Sequence, residues 1–235
     1  MIVRRYLGLI GLVFCLSGPS LLRADILLNS LAGLSGLCLY DGTASTYPNT
    51  STATTCVAQS TTTVAIGVHP AWQPNHPVNP GASDNSAVWI SYQPSGFGDV
   101  GGFVPYKGTT PVFALEQTFA ATSGQTLKLH VWADDTAGVY LDNIQLKAPM
   151  FTQSTCSGQP IGCRSQDLGT FNEVLNQGTH TLRFDVFQVG TGTTTSTNPI
   201  GLLYTGAVVP DGGVTLMLLG GALVGLETLR RKLRA

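Results

Sequence analysis

Charge is what this sequence has least of. Of 235 residues only 12 are Lys or Arg and 13 Asp or Glu, 11% in all, against about 25% in an average soluble domain. Most of the basic residues stand at the ends, as Arg4, Arg5 and Arg23 and as Arg230, Arg231, Lys232 and Arg234. Between residues 25 and 209 there are five basic and eleven acidic residues, a balance of −6. A body of that sign has no basic face with which to displace counterions from phosphates, so nucleic acid is excluded as a partner. The catalytic signatures are missing as well. No G-x-S-x-G, H-E-x-x-H or P-loop pattern occurs, and a non-enzymatic protein is expected. No two cysteines have C-x-x-C spacing and no histidine follows them closely, which argues against a zinc site.

Glycine, threonine and β-branched residues fill the space that charge leaves, the composition of an extracellular β protein. The N-terminus reads as an export signal over residues 1–24. Arg4 and Arg5 form its positive end, Leu7 to Leu16 is an apolar run too short for an ordinary span, and Gly18-Pro19 breaks the helix before a cut after Ala24. Four cysteines then remain, Cys38, Cys56, Cys156 and Cys163. An even number in an exported chain predicts disulfides. Four cysteines allow three pairings, of which the local one, Cys38–Cys56 with Cys156–Cys163, is favoured.

The far end has three parts in a fixed order. Val209-Pro210-Asp211-Gly212-Gly213 is a breakpoint, because proline and paired glycines do not continue regular structure. An apolar run follows from Val214 to Leu226, with Gly221 and Gly225 in G-x-x-x-G spacing. The chain ends on the basic cluster Arg230, Arg231, Lys232 and Arg234, which stays cytoplasmic by the positive-inside rule. This order predicts a C-terminal transmembrane helix, with the body outside and the tail inside. It resembles the PEP-CTERM sorting signals of Gram-negative bacteria, with Val-Pro-Asp in place of the usual Val-Pro-Glu-Pro, and the resemblance covers residues 209–235. It implies an exosortase-type membrane protease as partner, a membrane-anchored precursor, and a mature protein at the cell envelope, surface or extracellular (biofilm) matrix. Pro210 and Asp211 are then recognition residues of a substrate. The departure from the usual motif leaves the position of the cut open.

Residues 25–84 form a Ser/Thr- and Pro-rich N-terminal region, in which His69 to Pro80 reads as a solvated loop. Strands dominate residues 85–208. Phe113, Leu115, Gln117 and Phe119 share one face, as do Leu127, Leu129 and Val131, while Lys128, His130 and Trp132 share the opposite one. Asp142-Asn143 between two apolar runs is a two-residue hairpin signal. Many short strands without an internal helix predict an all-β protein, an antiparallel β-sandwich. The segments Leu127–Leu146 and Gly178–Val189, with Val139-Tyr140-Leu141 and Gly178-Thr179-His180-Thr181-Leu182, resemble galactose-binding-like jelly rolls.

Two features of the body invite a ligand. Asp134-Asp135 lies between Trp132 and Val139, at the tip of a strand pair. Adjacent carboxylates there are candidate calcium ligands, or they are turn residues bonded to nearby amides. Trp72, Trp89, Tyr92, Phe97 and Tyr106 are candidates for stacking on sugar rings, with core packing as the ordinary alternative. The expected function is a structural or adhesive role in the envelope or matrix. The alternative is a carbohydrate-binding module that uses calcium and takes a polysaccharide.

Overall fold

The structure, a computed structural model, describes residues 26–40, 56–58, 62–100, 110–151, 161–189, 194, 196–210 and 212–234. The predicted export signal, Cys156 and Tyr106 lie outside these residues. The strands are β1 (Ile26–Asn29), β2 (Leu37–Tyr40), β3 (Cys56–Ala58), β4 (Val64–Ala65), β5 (Ile90–Ser91), β6 (Phe113–Ala121), β7 (Gln125–Asp134), β8 (Thr136–Leu141), β9 (Ile144–Lys147), β10 (Gly169–Leu175), β11 (Gly178–Phe187) and β12 (Gly201–Pro210). A helix, α1 (Gly212–Arg234), follows the last strand.

They form two six-stranded antiparallel sheets, sandwich-like as expected. One runs β10-β7-β12-β5-β4, with β1 also paired to β12, and the other β3-β2-β6-β11-β8-β9. Strands from both sides of residue 84 share the sheets. Ile26 to Asn29 pair with Val208 to Thr205, and Leu37 to Leu39 pair with Leu115 to Phe113. The N-terminal region is therefore built into the sandwich.

The alternation of the sequence explains the core. Leu127, Leu129 and Val131 on β7 and Leu182, Phe184 and Val186 on β11 are completely buried between the sheets. Phe184 stacks on Tyr204 of β12, with ring centroids 4.4 Å apart. The Tyr204 hydroxyl donates to Gln117 Oε1 at 3.0 Å, so a β12 side chain spans the core and bonds to β6. Burial pushes the Tyr204 phenol far up. It stays neutral, as a hydroxyl in an apolar interior must.

A second apolar cluster lies on the other face of the first sheet. It contains Ile66, Trp72, Ala87, Trp89, Trp132, Cys163 and Leu203. Trp72 and Trp89 pack with centroids 4.3 Å apart, and the Trp89 indole N–H donates to the Gln73 carbonyl at 2.7 Å. The segment expected to be a solvated loop is thus a lid over β7 and β12. A polar clamp holds it there. Asn29 Nδ2 donates to Asp84 Oδ2 and to Ser86 Oγ at 2.9 Å. Asn29 Oδ1 accepts from the Thr205 hydroxyl at 2.8 Å, and Asn79 Nδ2 donates to the Gly206 carbonyl at 2.8 Å. Hydrogen bonds from Ser86, with a smaller contribution from Asn29, hold the Asp84 carboxylate below its usual range against a partial opposing effect of desolvation.

The hairpin signal is borne out. Asp142 and Asn143 have φ of 52° and 64°, both left-handed as a two-residue type I′ turn requires, and Leu141 pairs with Ile144. Cys38 and Cys163 each take part in a disulfide bond. The side chain of Cys56 lies outside the described residues, but its backbone pairs with Tyr40 on the strand that carries Cys38.

Among the described residues no helix is long and apolar enough to cross a membrane. Helix α1 has 23 residues, but its side chains at 212–219 and at 222 and 234 are outside that description. Of its described apolar side chains, Leu223, Val224 and Leu226 are open, 58%, 70% and 63% exposed. Glu227 pairs with Arg231 at 3.1 Å and with Arg230 at 3.7 Å, the one-turn spacing at which helical side chains meet.

Candidate functional site

The acidic pair is not at an exposed tip. β7 ends on Asp134 and β8 begins at Thr136, so Asp135 alone makes the connection, and both aspartates are 4% exposed. Their shared peptide is cis. The Asp135 amide donates to the Phe187 carbonyl at 3.2 Å, and its Oδ2 accepts from the Val189 amide at 2.7 Å. Burial, then the neighbouring Asp135 charge and the hydrogen bond between the two carboxyls, push Asp134 well above the carboxylate range, with a hydrogen bond from Trp72 opposing. The two carboxyls are hydrogen-bonded to each other, and the raised pKa favours the protonated form of Asp134. Desolvation and a like charge act in the same direction here.

The pair joins three segments: the lid through Trp72, the β7–β8 connection, and the exit of β11 through Val189. The sequence reading gave these aspartates nearby amides as partners; the amide that Asp135 Oδ2 accepts from is instead that of Val189, 54 residues away. Calcium asks for six to eight oxygens. Among the described residues no group of three or more His, Cys, Asp or Glu side chains is gathered to hold a metal. The bonds from Asp135 to the Phe187 carbonyl and the Val189 amide fasten this end of the sandwich.

Among the described residues, the proposed sugar-stacking side chains Trp72, Trp89, Tyr92 and Phe97 do not form a platform; Tyr106 lies outside them. Trp72 and Trp89 are 4% and 0% exposed and belong to the second core. Tyr92 packs on Phe113 with centroids 5.9 Å apart, and burial pushes its phenol up to about 12. Phe97 meets His69 edge-on at 4.6 Å.

Two further charge clusters escaped sequence reasoning. His180 Nδ1 lies 2.7 Å from Asp142 Oδ2, and its Nε2 lies 3.0 Å from the Asn176 carbonyl. Both ring nitrogens face acceptors, the arrangement of an imidazolium. Burial alone would lower the His180 pKa, but the Asn176 carbonyl and the Asp142 carboxylate outweigh it and the pKa is raised. On the outer face of the second sheet, Arg183 Nη2 donates to Asp185 Oδ2 at 2.9 Å, and the guanidinium lies 4.5 Å from the Tyr140 ring centroid. Burial raises the Asp185 pKa although Arg183 pulls it down. The signal for the Arg183 cluster was present: two opposite charges two residues apart on the outward face of a strand.

The residues of the tail motif fall on two elements, and Asp211 between them lies outside the described residues. Val209 pairs with Thr126 and Pro210 with Gln125 at the end of β12, whereas Gly212 and Gly213 open the helix. Arg230, Arg231 and Lys232 are exposed.

No protein-family model matches this chain, and no curated protein does. Among solved structures, it is similar to the native structure of a family 35 carbohydrate binding module from Clostridium thermocellum. The identity is 13% and the TM-score 0.27, over 56% of this chain and 83% of that one. It is also similar to a Paenibacillus sp. cycloisomaltooligosaccharide glucanotransferase complexed with cycloisomaltoheptaose, again at 13% identity and a TM-score of 0.27. There the match covers 56% of this chain and spans 16% of the length of that one. Likeness at this level carries no functional argument, and what stands is the chain's own architecture: two antiparallel sheets, sandwich-like, followed by a C-terminal helix.

Proposed function

We propose that this is an exported, non-enzymatic envelope or matrix protein whose residues 209–235 are a membrane-anchoring and sorting tail, read by an exosortase-type membrane protease. One observation supports this reading above the others. The strand that completes the first sheet ends at Pro210, and the helix begins two residues later at Gly212. Among the described residues every strand ends by Pro210, so the helix that follows can be removed without opening either sheet. The acidic, tightly closed body is what is delivered, and the basic end Arg230, Arg231, Lys232 and Arg234 is the cytoplasmic stop.

The test is retention. The full chain and a chain ending at Asp211 are expressed in a bacterium that carries an exosortase, and each is followed through envelope and medium fractions. The full chain stays with the envelope as a processed form, and the shortened chain is lost to the medium. Equal retention of both would overturn the tail's role. The carbohydrate-binding alternative ranks second, since Trp72 and Trp89 are packed away from any sugar. Chelator-sensitive binding on a glycan array would raise it to first.

A further inference from the structure

We infer that the lid is a redox latch: the disulfide of Cys163 docks its tryptophan end, so the second core closes in an oxidising compartment and stands open where thiols are kept reduced. The inference rests on the lid and this disulfide alone, and it holds whether or not the tail is a sorting signal.

The lid is fastened at two ends by different means. From Asn79 to Ser86 it is held by the polar clamp, through Asn29 and through the bond from Asn79 to the Gly206 carbonyl. Near Trp72 the fastening runs through the segment 161–168. The Gly162 carbonyl accepts from the Ala133 amide of β7 at 3.1 Å, and the next carbonyl, that of Cys163, accepts from the Gln73 amide of the lid at 2.7 Å. The Gln73 carbonyl in turn accepts from the Trp89 indole N–H at 2.7 Å, and Trp89 packs on Trp72. Cys163 therefore stands between the sheet and the lid. Its side chain is 0% exposed within the second core, and its sulfur is in a disulfide.

A disulfide limits the arrangements a chain can take when structure comes apart, and a typical bridge shifts the balance of closed over open on the order of a hundredfold. Local opening of this kind leaves the rest of a fold in place. Ile161, two residues before the cysteine, is buried in the inner core, so the Cys163 carbonyl can be freed while the sheets stay packed. Burial also makes the closed state self-protecting, because a docked lid keeps attacking thiolates away from the Cys163 sulfur. Closure is a balanced exchange: two cysteine thiols give up two electrons and two protons and form the S–S bond. The disulfide of a thiol–disulfide oxidoreductase takes up both through a mixed disulfide and leaves as a dithiol.

The chain has three tryptophans, and all of them, Trp72, Trp89 and Trp132, lie in the second core. Their emission maximum and their quenching by iodide therefore report the lid. The full chain in mild detergent is refolded from urea under reductant, and oxidised glutathione is then added as the disulfide. The far-ultraviolet β signal is expected before oxidation, and the blue shift and loss of quenching only as thiols disappear. In hydrogen exchange followed by mass spectrometry, the peptide containing Gln73 should exchange about a hundredfold faster in the reduced chain than in the oxidised one, with Leu127–Val131 and Leu182–Val186 unchanged. In Cys163→Ala the Gln73 peptide should exchange fast in both states, even when Cys38 is oxidised. Tryptophans already shielded in the reduced chain would overturn the latch, as would a lid that still closes on oxidation in Cys163→Ala. Loss of the whole β signal on reduction would overturn it too, since the lid would then not move separately from the sandwich.

Discussion

The His180–Asp142 contact makes the stability of the body depend on pH in a direction that can be worked out. His180 is nearly buried, stacks on Phe119 at 5.6 Å, and has an acceptor at each ring nitrogen. Its folded pKa is raised above the ordinary value. A histidine with a raised folded pKa contributes stability that is fully present below its unfolded value, about 6.5, and is lost as the pH rises through the folded value. A charge-assisted hydrogen bond contributes about 1.5–3 kcal/mol. The Asp142 side chain is 42% exposed, so screening reduces this to about 1 kcal/mol. With a urea slope of roughly 2–3 kcal/mol/M, that is a midpoint shift of about 0.3–0.5 M. The assay is urea denaturation of the full chain and of His180→Gln, in mild detergent under oxidising conditions, at pH 5.5 and pH 9. Asp134 and Asp185 also have raised folded pKa values and lower the stability in the same direction, so the gap between wild type and variant is the diagnostic quantity. It should be about 1 kcal/mol at pH 5.5 and close to zero at pH 9. A gap that is the same at both pH values would refute the charged-imidazole reading.

Asn29→Ala removes the centre of the clamp that holds the lid to β12. At roughly 1 kcal/mol for each of two to four hydrogen bonds, the loss is about 2–4 kcal/mol, measured as a fall in thermal midpoint of roughly 5–12 °C; a change under 1 °C would show the lid to be held by its tryptophans alone. Asp134→Asn preserves a neutral donor and should leave stability at pH 7 within about 1 kcal/mol of wild type. Asp135→Ala strands the Val189 amide and should cost about 1–3 kcal/mol, so equal effects from the two would contradict a protonated Asp134. For the cysteines, peptide mapping without reductant is expected to yield Cys38–Cys56 and Cys156–Cys163, and reduction should cost about 2–4 kcal/mol per bridge; a fragment joining Cys38 to Cys163 would overturn the local pairing.

The alternation of apolar residues made the inner core legible, because a strand between two sheets buries every second side chain. Leu127, Leu129 and Val131 were readable for that reason, and so was the turn at Asp142-Asn143, where local chemistry dictates geometry. The second core was not readable. Trp132 sits in the outward row of β7, and periodicity tells which residues share a face without telling what covers it. The cover is a proline-rich segment with no period of its own, held by Asn29 and Asn79, 50 residues apart. The acidic pair misled for a related reason. Two adjacent aspartates read as exposed because two charges are costly to bury, but the cost falls sharply when one of them keeps its proton. A helix around the apolar run Val214 to Leu226 was legible, but its ends were not: it opens on Gly212 and Gly213, read as part of the breakpoint, and runs on to Arg234.

The place of β12 in the first sheet has a consequence for how the protein is made. It is the last strand in the sequence, yet it lies between β7 and β1 and pairs with the first strand, Ile26 to Val208. Nearly the whole chain must be synthesised before the first sheet can close, and pairings that distant form slowly. On the proposed sorting reading, a chain exported from its N-terminus stays incompletely folded until its end arrives, and a halt at the helix after β12 would coincide with the closure of the sandwich.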